Sequence, residues 1–378
     1  MPLFVYGTLR HLPLLTLILG RDLPAAQRRP ARLPGHRAVW AEEQAFPLIV
    51  AAEGHSAEGL LLEGLSGDDL ARLEFYEGGF GYHLRPVMAE VAGGEVPARV
   101  WFPDPGLWQE GAAWELADWQ ARWGAINCAA AAEVMGWFGL RGAAEVARMY
   151  PMILARAASR VAAGQGVPPD DPALPRAGLT RADTEVRGLA RPYADFFAVE
   201  DYRLSFRRFD GAMSREVKRA VFMAADAAIV LPYDPLRDRV LLIEQFRVGP
   251  FARGDLAPWS LEPVAGRVDP GEPPEQAARR EALEEAGLEL RHLERIGGHY
   301  PSPGSTSEFF HVFVGLTDLP DSTDSIGGVS SEDEDIRSHV LPYAQFQDLL
   351  DRDLLNVGPL VLAGHWLARH RTRLRAAP

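Results

Sequence analysis

A proline-rich stretch near the middle of the chain limits what these 378 residues can fold into. Between Gly164 and Pro175, prolines stand at positions 168, 169, 172 and 175. Each proline fixes its φ angle and removes an amide donor, so neither a helix nor a central strand can continue through them. A chain of this length also exceeds the size at which a single core keeps growing. The sequence therefore predicts two domains joined by a linker.

The charge balance narrows the classes of partner. The chain has 39 Lys and Arg against 52 Asp and Glu, whereas nucleic acids and anionic membranes require a dense basic surface. The only cysteine is Cys128, so no intrachain disulfide is expected and a reducing, cytoplasmic location is predicted. The apolar runs at 12–19 and 124–140 are short for a bilayer span and predict buried helices, and the N-terminus lacks a basic leader.

The amino-acid composition changes along the chain, and these changes predict three segments. Residues 1–105 contain short apolar runs between glycines and prolines, which are typical of strands. Residues 106–178 are rich in Ala, Trp, Glu and Arg and predict a helical connector that ends in the linker. Residues 179–378 mix strands with helices, so the whole chain is predicted to be α+β with two domains.

Apolar periodicity and turn residues place the elements of the third segment. A turn at 232–235 is predicted to join the first two strands, and the acidic stretch 318–335 is predicted to be a flexible loop. The predicted strands lie at 227–231, 239–243 and 309–314, and the predicted helices at 274–286, 343–352 and 358–370.

The predicted helix at 274–286 carries an unusual set of charges. Glu281, Glu284 and Glu285 stand at i, i+3 and i+4, so their carboxylates share one face. Like charges at this spacing repel one another, and a divalent cation would remove that cost. Mg²⁺ prefers oxygen ligands and commonly bridges carboxylates to phosphates. Three glutamates alone would still be compatible with a solvated helix surface.

The flanking residues complete a longer pattern that resembles the Nudix hydrolase box. The matching positions are Gly266, Glu272, Arg280, Glu281, Glu284, Glu285, Gly287 and Leu288. Ala282 departs from the bulkier aliphatic residue of the pattern. The resemblance implies an α/β/α sandwich that binds Mg²⁺, with Mn²⁺ as the alternative. It also implies that Glu281 and Glu285 are the principal metal ligands, that Glu284 and the Ala265 carbonyl are further ligands, and that Arg280 orients the glutamates.

Four further segments, at 243–247, 261–266, 302–308 and 332–337, resemble the ADP-ribose pyrophosphatase branch of that family over residues 190–370. In this branch a mobile loop brings glutamates to the metal. The resemblance therefore implies Glu332 as the general base and Glu334 as a further metal ligand. Ser305 departs from the glycine common in the branch. A homodimer is implied as well.

The same resemblance implies where the substrate binds. Arginines suit phosphate oxygens, aromatic rings suit a flat base, and a carboxylate suits a ribose hydroxyl. The implied substrate-binding residues are Phe196, Phe197, Arg219, Arg247, Ser302, Pro303, Gly304 and Glu308. The expected reaction is Mg²⁺-dependent cleavage of the diphosphate of ADP-ribose to AMP and ribose 5-phosphate. The alternatives are hydrolysis of another nucleotide sugar, such as GDP-mannose, and nucleotide sensing without catalysis.

The N-terminal segment resembles a different family. The runs 4–10, 73–78 and 82–85 resemble γ-glutamylcyclotransferase-like (AIG2-like) domains over residues 2–105, which implies a small mixed β-barrel with helices. The sequence Tyr6-Gly7-Thr8-Leu9 predicts a strand that runs into a turn and exposes N–H groups to a ligand carboxylate. Glu77 lies at the family's acid/base position. A binding or assembly module without turnover remains the alternative.

Overall fold

The computed structural model describes residues 1–166, 173–321, 326–328 and 334–376. The chain forms two compact units, Met1–Asp170 and Asp171–Pro378. Each unit combines helices with its own sheet or sheets, which confirms the predicted two-domain α+β class. The linker prolines at 168, 169 and 172 lie outside the described residues.

Five strands of the first unit close into a barrel. The unit has six described strands, of which the first five form the barrel: β1 (Leu3–Val5), β2 (Arg28–Ala41), β3 (Pro47–Leu62), β4 (Tyr82–Val91), β5 (Gly94–Pro103) and β6 (Glu110–Ala113). Their order is β3-β1-β5-β4-β2, and β2 pairs again with β3 to close the ring, while β6 extends β2. Phe4, Leu61 and Val100 are fully buried in the core. The predicted small barrel is confirmed.

Helices cover this barrel and continue the unit beyond residue 105. They are α1 (Leu12–Leu19), α2 (Gly67–Glu77), α3 (Leu116–Trp119), α4 (Ala125–Met135) and α5 (Ala143–Gln165). The predicted connector helices belong to the first unit, since α4 packs on both α1 and α5. A Cβ on Gly79 would lie 2.6 Å from the Ala143 carbonyl oxygen, so α5 begins against the turn that follows α2. No described helix is long and apolar enough to span a membrane.

The second unit contains a large mixed sheet and a separate three-stranded sheet. Its strands are β7 (Thr184–Ala194), β8 (Ala198–Phe206), β9 (Val217–Met223), β10 (Ala227–Asp234), β11 (Arg239–Phe246), β12 (Trp259–Glu262), β13 (Val264–Arg267), β14 (His292–His299), β15 (Phe310–Leu316), β16 (Ile326–Gly327) and β17 (Ile336–Pro342). The large sheet runs β14-β15-β10-β11-β17-β16, with β13 on β10 and β12 on β11. The smaller sheet is β7-β8-β9.

Helices cover both faces of the large sheet. They are α6 (Val248–Arg253), α7 (Pro274–Ala286), α8 (Tyr343–Asp351) and α9 (Gly358–Ala376). Alternate residues of β10 point to opposite faces, so Val230 packs with Ala278 of α7 while Leu231 packs with Phe346 of α8. The large sheet lies between α7 on one side and α8 and α9 on the other, which confirms the predicted α/β/α sandwich.

Two local predictions differ from the structure. The turn after β10 lies at 235–238 and not at 232–235, because Pro232 and Tyr233 continue the parallel pairing with β15. Tyr233 is fully buried, and that burial outweighs the turn signal of the neighbouring prolines. Within the stretch predicted as a loop, Ile326–Gly327 forms β16 and pairs with β17.

Candidate active sites

The helix that carries the three glutamates has well-defined ends. Pro274 occupies its first turn, where a missing N–H costs nothing. Gly287 ends it with φ of 63°, a left-handed conformation that glycine adopts without strain. Ala277, Ala278 and Ala282 bury one side of α7 against the sheet. This packing leaves the carboxylates on the side that faces the β12–β13 connection.

Arg280 holds the acidic side chains together. Its guanidinium lies 3.1 Å from Glu272 Oε2, 2.6 Å from Glu281 Oε1 and 3.0 Å from Glu284 Oε2. It also donates to the Arg267 carbonyl at 3.0 Å. One cation therefore orients three carboxylates, since charge-assisted hydrogen bonds are stronger than neutral ones.

Glu285 is the most deeply placed of these carboxylates. Only 2% of the residue is exposed, and its Oε2 accepts a hydrogen bond from the Ala265 N–H at 3.1 Å. Burial raises its pKa to about 8 against the lowering effect of that hydrogen bond, and the charges of Glu281 and Glu334 add to the rise. Burial also raises the pKa of Glu281. Negative charge is thus concentrated where little water can solvate it.

These side chains suit a hard divalent cation through their chemistry, because every donor is an oxygen and burial outweighs the opposing charge of Arg280 at Glu281 and of Arg247 at Glu285. The described residues contain no ready-made group of three acidic, His or Cys side chains arranged around a common point. Arg280 engages Glu281 and Glu284 in this conformation. Glu332, the predicted base, lies outside the described residues, whereas Glu334 lies near Glu281 and Glu285.

The glycines of the site permit close backbone approach. A Cβ on Gly266 would lie 1.9 Å from the Glu281 carboxyl carbon, so any larger residue there would displace that carboxylate. A Cβ on Gly327 would lie 2.2 Å from the Glu285 carbonyl oxygen, which places β16 against the end of α7. The neighbouring Gly328 lies against Glu334, since a Cβ there would be 2.9 Å from the Glu334 Cβ.

Several predicted substrate residues lie near this helix. The Arg247 guanidinium makes a two-point hydrogen bond with Glu262, with Nε–Oε1 at 3.0 Å and Nη2–Oε2 at 2.8 Å. Glu308 lies close to Arg247, and its pKa is raised by burial although the arginine opposes the rise. Ser302, Pro303 and Gly304 are exposed in the turn before Glu308. In that turn the Ser302 carbonyl accepts a hydrogen bond from the Ser305 amide at 3.0 Å.

The predicted aromatic pair lies in the turn between β7 and β8. Phe196 and Phe197 meet edge to face with ring centres 4.7 Å apart, and the Arg267 guanidinium lies 5.0 Å from the Phe196 ring. Phe222 packs on Phe197 at 4.5 Å. Arg219 is not part of this group, since its guanidinium is exposed and donates to the Lys218 carbonyl at 2.9 Å.

The first unit contains a cavity around Glu77. Its volume is about 80 Å³ when counted as the space open to the centres of water-sized molecules, so it holds several waters or a small polar group. Burial, with the charge of Glu74, raises the pKa of Glu77 to about 7. Tyr6, Gly7, Thr8 and Leu9 lie on the cavity wall beside Glu77, and no described residue accepts a hydrogen bond from the amides of Gly7, Thr8 and Leu9.

Two further donors in this cavity are buried and unpaired. Tyr82 is 6% and Trp101 is 3% exposed, and among the described residues neither the Tyr82 hydroxyl nor the Trp101 Nε1 has a hydrogen-bond partner. A buried donor without a partner is costly, so these atoms suit a ligand oxygen. Glu77 contributes an acceptor, and the cavity therefore presents opposite hydrogen-bonding groups to a ligand.

Sequence reasoning missed several residues of both sites. In the first unit these are Tyr76, Tyr82, Trp101, Asn127 and Tyr150, and in the second they are Phe222, Glu262 and Arg267. The run at 82–85 had drawn attention to Tyr82 without giving it a role. Asn127 and Tyr150 carried no signal, because they come from helices distant in sequence from Glu77.

Comparison with known proteins agrees with this division. The NUDIX domain model matches residues 223–359, and the model described as gamma-glutamyl cyclotransferase, AIG2-like, matches residues 3–121. The chain is 39% identical over 193 residues to the ADP-ribose pyrophosphatase of Escherichia coli (strain K12), covering 51% of this chain and 91% of that protein. It is 32% identical over 173 residues to the GDP-mannose pyrophosphatase of Escherichia coli O1:K1 / APEC, covering 46% and 88%.

A solved structure described as an ADP compounds hydrolase shares 23% identity, covers 50% of this chain and 96% of its own, and has a TM-score of 0.38. The assignment depends on the sequence relatives and on the two matched domain models. The chain therefore belongs to the Nudix hydrolases, in the ADP-ribose pyrophosphatase branch through its second unit, and it carries an AIG2-like γ-glutamyl cyclotransferase domain in its first.

Proposed function

We propose that the second unit hydrolyses the diphosphate of ADP-ribose to AMP and ribose 5-phosphate with the help of Mg²⁺ or Mn²⁺. The observation that carries this proposal is the buried carboxylate pair of Glu281 and Glu285 on α7, both with raised pKa. Such a pair calls for a cation, and a metal-bound diphosphate is the substrate class that Nudix relatives named as pyrophosphatases act on.

Glu281, Glu285 and the Ala265 carbonyl would hold the metal, with Glu284 and Glu334 as further ligands. A bound divalent ion there supplies charge neutralisation of the diphosphate and a more acidic water. Arg280 keeps the glutamates oriented through its contacts with Glu281 and Glu284.

The remaining residues have binding and proton-transfer roles. Arg247, held by Glu262, presents its guanidinium to the phosphate oxygens. Phe196 and Phe197 stack on the base, and Glu308 accepts a ribose hydroxyl. Glu332 takes the proton of the attacking water, a role that rests on the sequence resemblance.

The test replaces one carboxylate oxygen of Glu281 with an amide nitrogen. Glu281→Gln is expected to lower turnover of ADP-ribose by about two orders of magnitude or more while the fold is retained, because a neutral amide is a much weaker ligand for a hard cation than a carboxylate. Glu275→Gln, on the exposed first turn of the same helix, is the matched control and should leave turnover unchanged. Equal turnover in the two variants would end the proposal.

A panel of nucleoside diphosphate compounds identifies the substrate. If the protein cleaves GDP-mannose faster, that compound replaces ADP-ribose as the proposed substrate. Tight binding of a nucleoside diphosphate compound without products would favour a nucleotide sensor. The predicted homodimer and the predicted cytoplasmic location stay predictions, and the mass in solution tests the first of them.

We propose cyclotransfer as a second activity, at the first unit. Glu77, with a pKa of about 7, is suited to accept a proton from an α-ammonium near neutral pH, and the amides of Gly7, Thr8 and Leu9 are suited to hold a carboxylate or a developing oxyanion. The amine then attacks the γ-carbonyl carbon to form the ring C–N bond, and the former amide C–N bond breaks as Glu77 returns the proton to the departing amine.

This activity has its own measurement. The intact chain is expected to release 5-oxoproline from γ-glutamyl amides, with a rate that rises as pH increases through about 7, because Glu77 is active when ionised. Glu77→Gln should abolish the release, while Glu74→Gln should retain it. No release across a broad panel of γ-glutamyl compounds would favour a binding module.

A further inference from the structure

We infer that the Tyr82 hydroxyl and the Trp101 indole N–H hold the oxygen of the ligand carbonyl that reacts in the Glu77 cavity. The inference deepens the function proposed for the first unit and rests on it, because it says which groups bind the carbonyl at which cyclotransfer takes place. Two catalytic residues are thereby added to Glu77. The backbone amides of residues 7–9 remain for the α-carboxylate of the ligand.

The two donors lie on the same face of two neighbouring strands. In the antiparallel pairing of β4 with β5, Tyr82 is opposite Pro103 and Leu84 is opposite Trp101. Tyr82 and Trp101 are therefore diagonal neighbours, whose side chains are within reach of one another across the pair. Val100, next to Trp101, packs inside the barrel, so Trp101 and Tyr82 lie on the outer face. Both line the small cavity.

The strand wall and the helical wall of the cavity differ in their hydrogen bonds. On the helical wall, the Tyr150 hydroxyl donates to Asn127 Oδ1 at 3.1 Å. On the strand wall, no described residue accepts a hydrogen bond from the Tyr82 hydroxyl or from Trp101 Nε1, although both atoms are buried. An unpaired buried donor is costly, and a ligand oxygen would remove that cost. The ligand oxygen is therefore expected at the strand wall.

The charges on the cavity wall favour a carbonyl oxygen over a carboxylate at these donors. Among the described residues that line the cavity, Glu77 is the one charged side chain, and the set contains no lysine, arginine or histidine. A carboxylate held by Tyr82 and Trp101 would add negative charge there without a cation on the wall to offset it. A carbonyl oxygen is neutral when the ligand binds. Burial and the charge of Glu77 raise the pKa of Tyr82, so its hydroxyl stays protonated and can donate.

This placement provides a partner for each charge that changes during cyclotransfer. Glu77 accepts a proton from the α-ammonium, and the freed amine attacks the γ-carbonyl carbon. The π electrons of the carbonyl move to its oxygen, and the Tyr82 and Trp101 donors stabilise the oxyanion that forms. When the carbonyl forms again, the former amide C–N bond breaks and Glu77 returns the proton to the departing amine.

The first test follows the Trp101 indole with ligands that differ in single groups. In the intact chain labelled with ¹⁵N-tryptophan, the Trp101 Nε1–H signal is assigned by its loss in Trp101→Phe. The signal should move downfield with 5-oxoproline and with 2-pyrrolidinone, which keeps the lactam carbonyl but lacks the carboxylate. It should stay in place with proline, which keeps the carboxylate but lacks the carbonyl.

Two other indoles are internal controls in the same spectra. Trp119 Nε1 already donates to the Ala45 carbonyl at 2.7 Å. Trp137 Nε1 is buried without a partner among the described residues, but Trp137 does not line the cavity. Neither signal should move with any of the three compounds.

The second test is kinetic. Tyr82→Phe and Trp101→Phe should each lower kcat for 5-oxoproline release by about a hundredfold with little change in KM, because an oxyanion donor acts mainly in the transition state. Trp137→Phe, which also removes a buried unpaired indole N–H, should keep the wild-type kcat.

The outcomes separate this inference from the proposed activity. A Trp101 signal that moves with proline, or with none of the three compounds, overturns the inference, and so does a wild-type kcat in folded Tyr82→Phe and Trp101→Phe. Release of 5-oxoproline without a Trp101 shift would leave the cyclotransfer proposal standing. A shift without release from any γ-glutamyl compound would end that proposal and keep the pair as a carbonyl-binding site.

Discussion

At the scale of single residues, the carboxylate site of the second unit depends on the absence of one carbon atom. Gly266 lies on β13 directly beside Glu281, so close that a Cβ at this position would displace the Glu281 carboxylate. Its backbone pairs with Ala228 of β10, so it cannot move away without breaking the sheet register. The glycine at this position of the motif therefore has a steric reason in this chain.

Gly266→Ala is expected to displace Glu281 and to lower ADP-ribose turnover by about a hundredfold, because a misplaced ligand residue disrupts the geometry of the site. The stability of the unit should change far less than turnover does, because the atoms that meet the new Cβ are the flexible end of the Glu281 side chain. Steady-state kinetics and thermal unfolding measure the two effects. Gly358→Ala, where a Cβ meets nothing within 4 Å, is the control, and similar losses in both variants would contradict the steric account.

At the scale of elements, helix α2 has a well-capped N-terminus and carries the candidate base at its C-terminal end. Ser66 and Asp69 form a capping box, and Glu77 is the last residue of the helix. The Asp69 carboxylate also accepts a hydrogen bond from Arg21 Nη2 at 2.6 Å. The hydrogen bond from Arg21 is the main cause that lowers the pKa of Asp69 to about 2. Charge at one end of the helix therefore fixes the element that carries Glu77.

The ionised form of Asp69 should stabilise the first unit. Because its folded pKa lies below the ordinary value, this contribution is present above about pH 4 and is lost as pH falls towards 2. Asp69→Asn is expected to cost about 1 kcal/mol at pH 7, a small value because Arg21 is partly solvated, and nearly nothing at pH 2. Thermal unfolding of Asp69→Asn and of the wild type at both pH values measures this difference in stability. The exposed Asp68→Asn is the control. A difference that persists undiminished at pH 2 would contradict the charge account.

At the scale of the whole molecule, each unit has its own hydrophobic core. The first is built inside the barrel around Phe4 and Leu61, and the second lies on both faces of the large sheet. A domain with its own core is expected to unfold as its own cooperative unit. Tryptophans report mainly on the first unit, because only Trp259 and Trp366 lie in the second.

Phe346→Ala tests this separation. Phe346 is fully buried between α8 and the sheet, so its loss should cost the second unit about 3–5 kcal/mol. Hydrolysis of ADP-ribose should be lost at a lower temperature than in the wild type. The tryptophan fluorescence transition of the first unit should not move, and a shift of both transitions together would contradict separate unfolding.

The sequence by itself determined the parts that depend on local chemistry. Helix α7 begins and ends where its prolines and Gly287 predicted, and the periodicity of 227–231 and 239–243 marked the central strands. The fixed spacing of one helix also sufficed to bring Glu281, Glu284 and Glu285 to one face. The two families followed from motifs of the same local kind.

Only the tertiary structure decided which distant residues meet. Several contacts join residues that lie 15 or more positions apart along the chain. They are those of Glu262 with Arg247, of Phe222 with Phe197, and of Asn127 with Tyr150 beside Glu77. No periodicity records such a contact, because it depends on how helices and sheets pack. Burial has the same origin, so the raised pKa values of Glu77 and Glu285 come mainly from packing, and the nearby charges of Glu74 and Glu281 add to them.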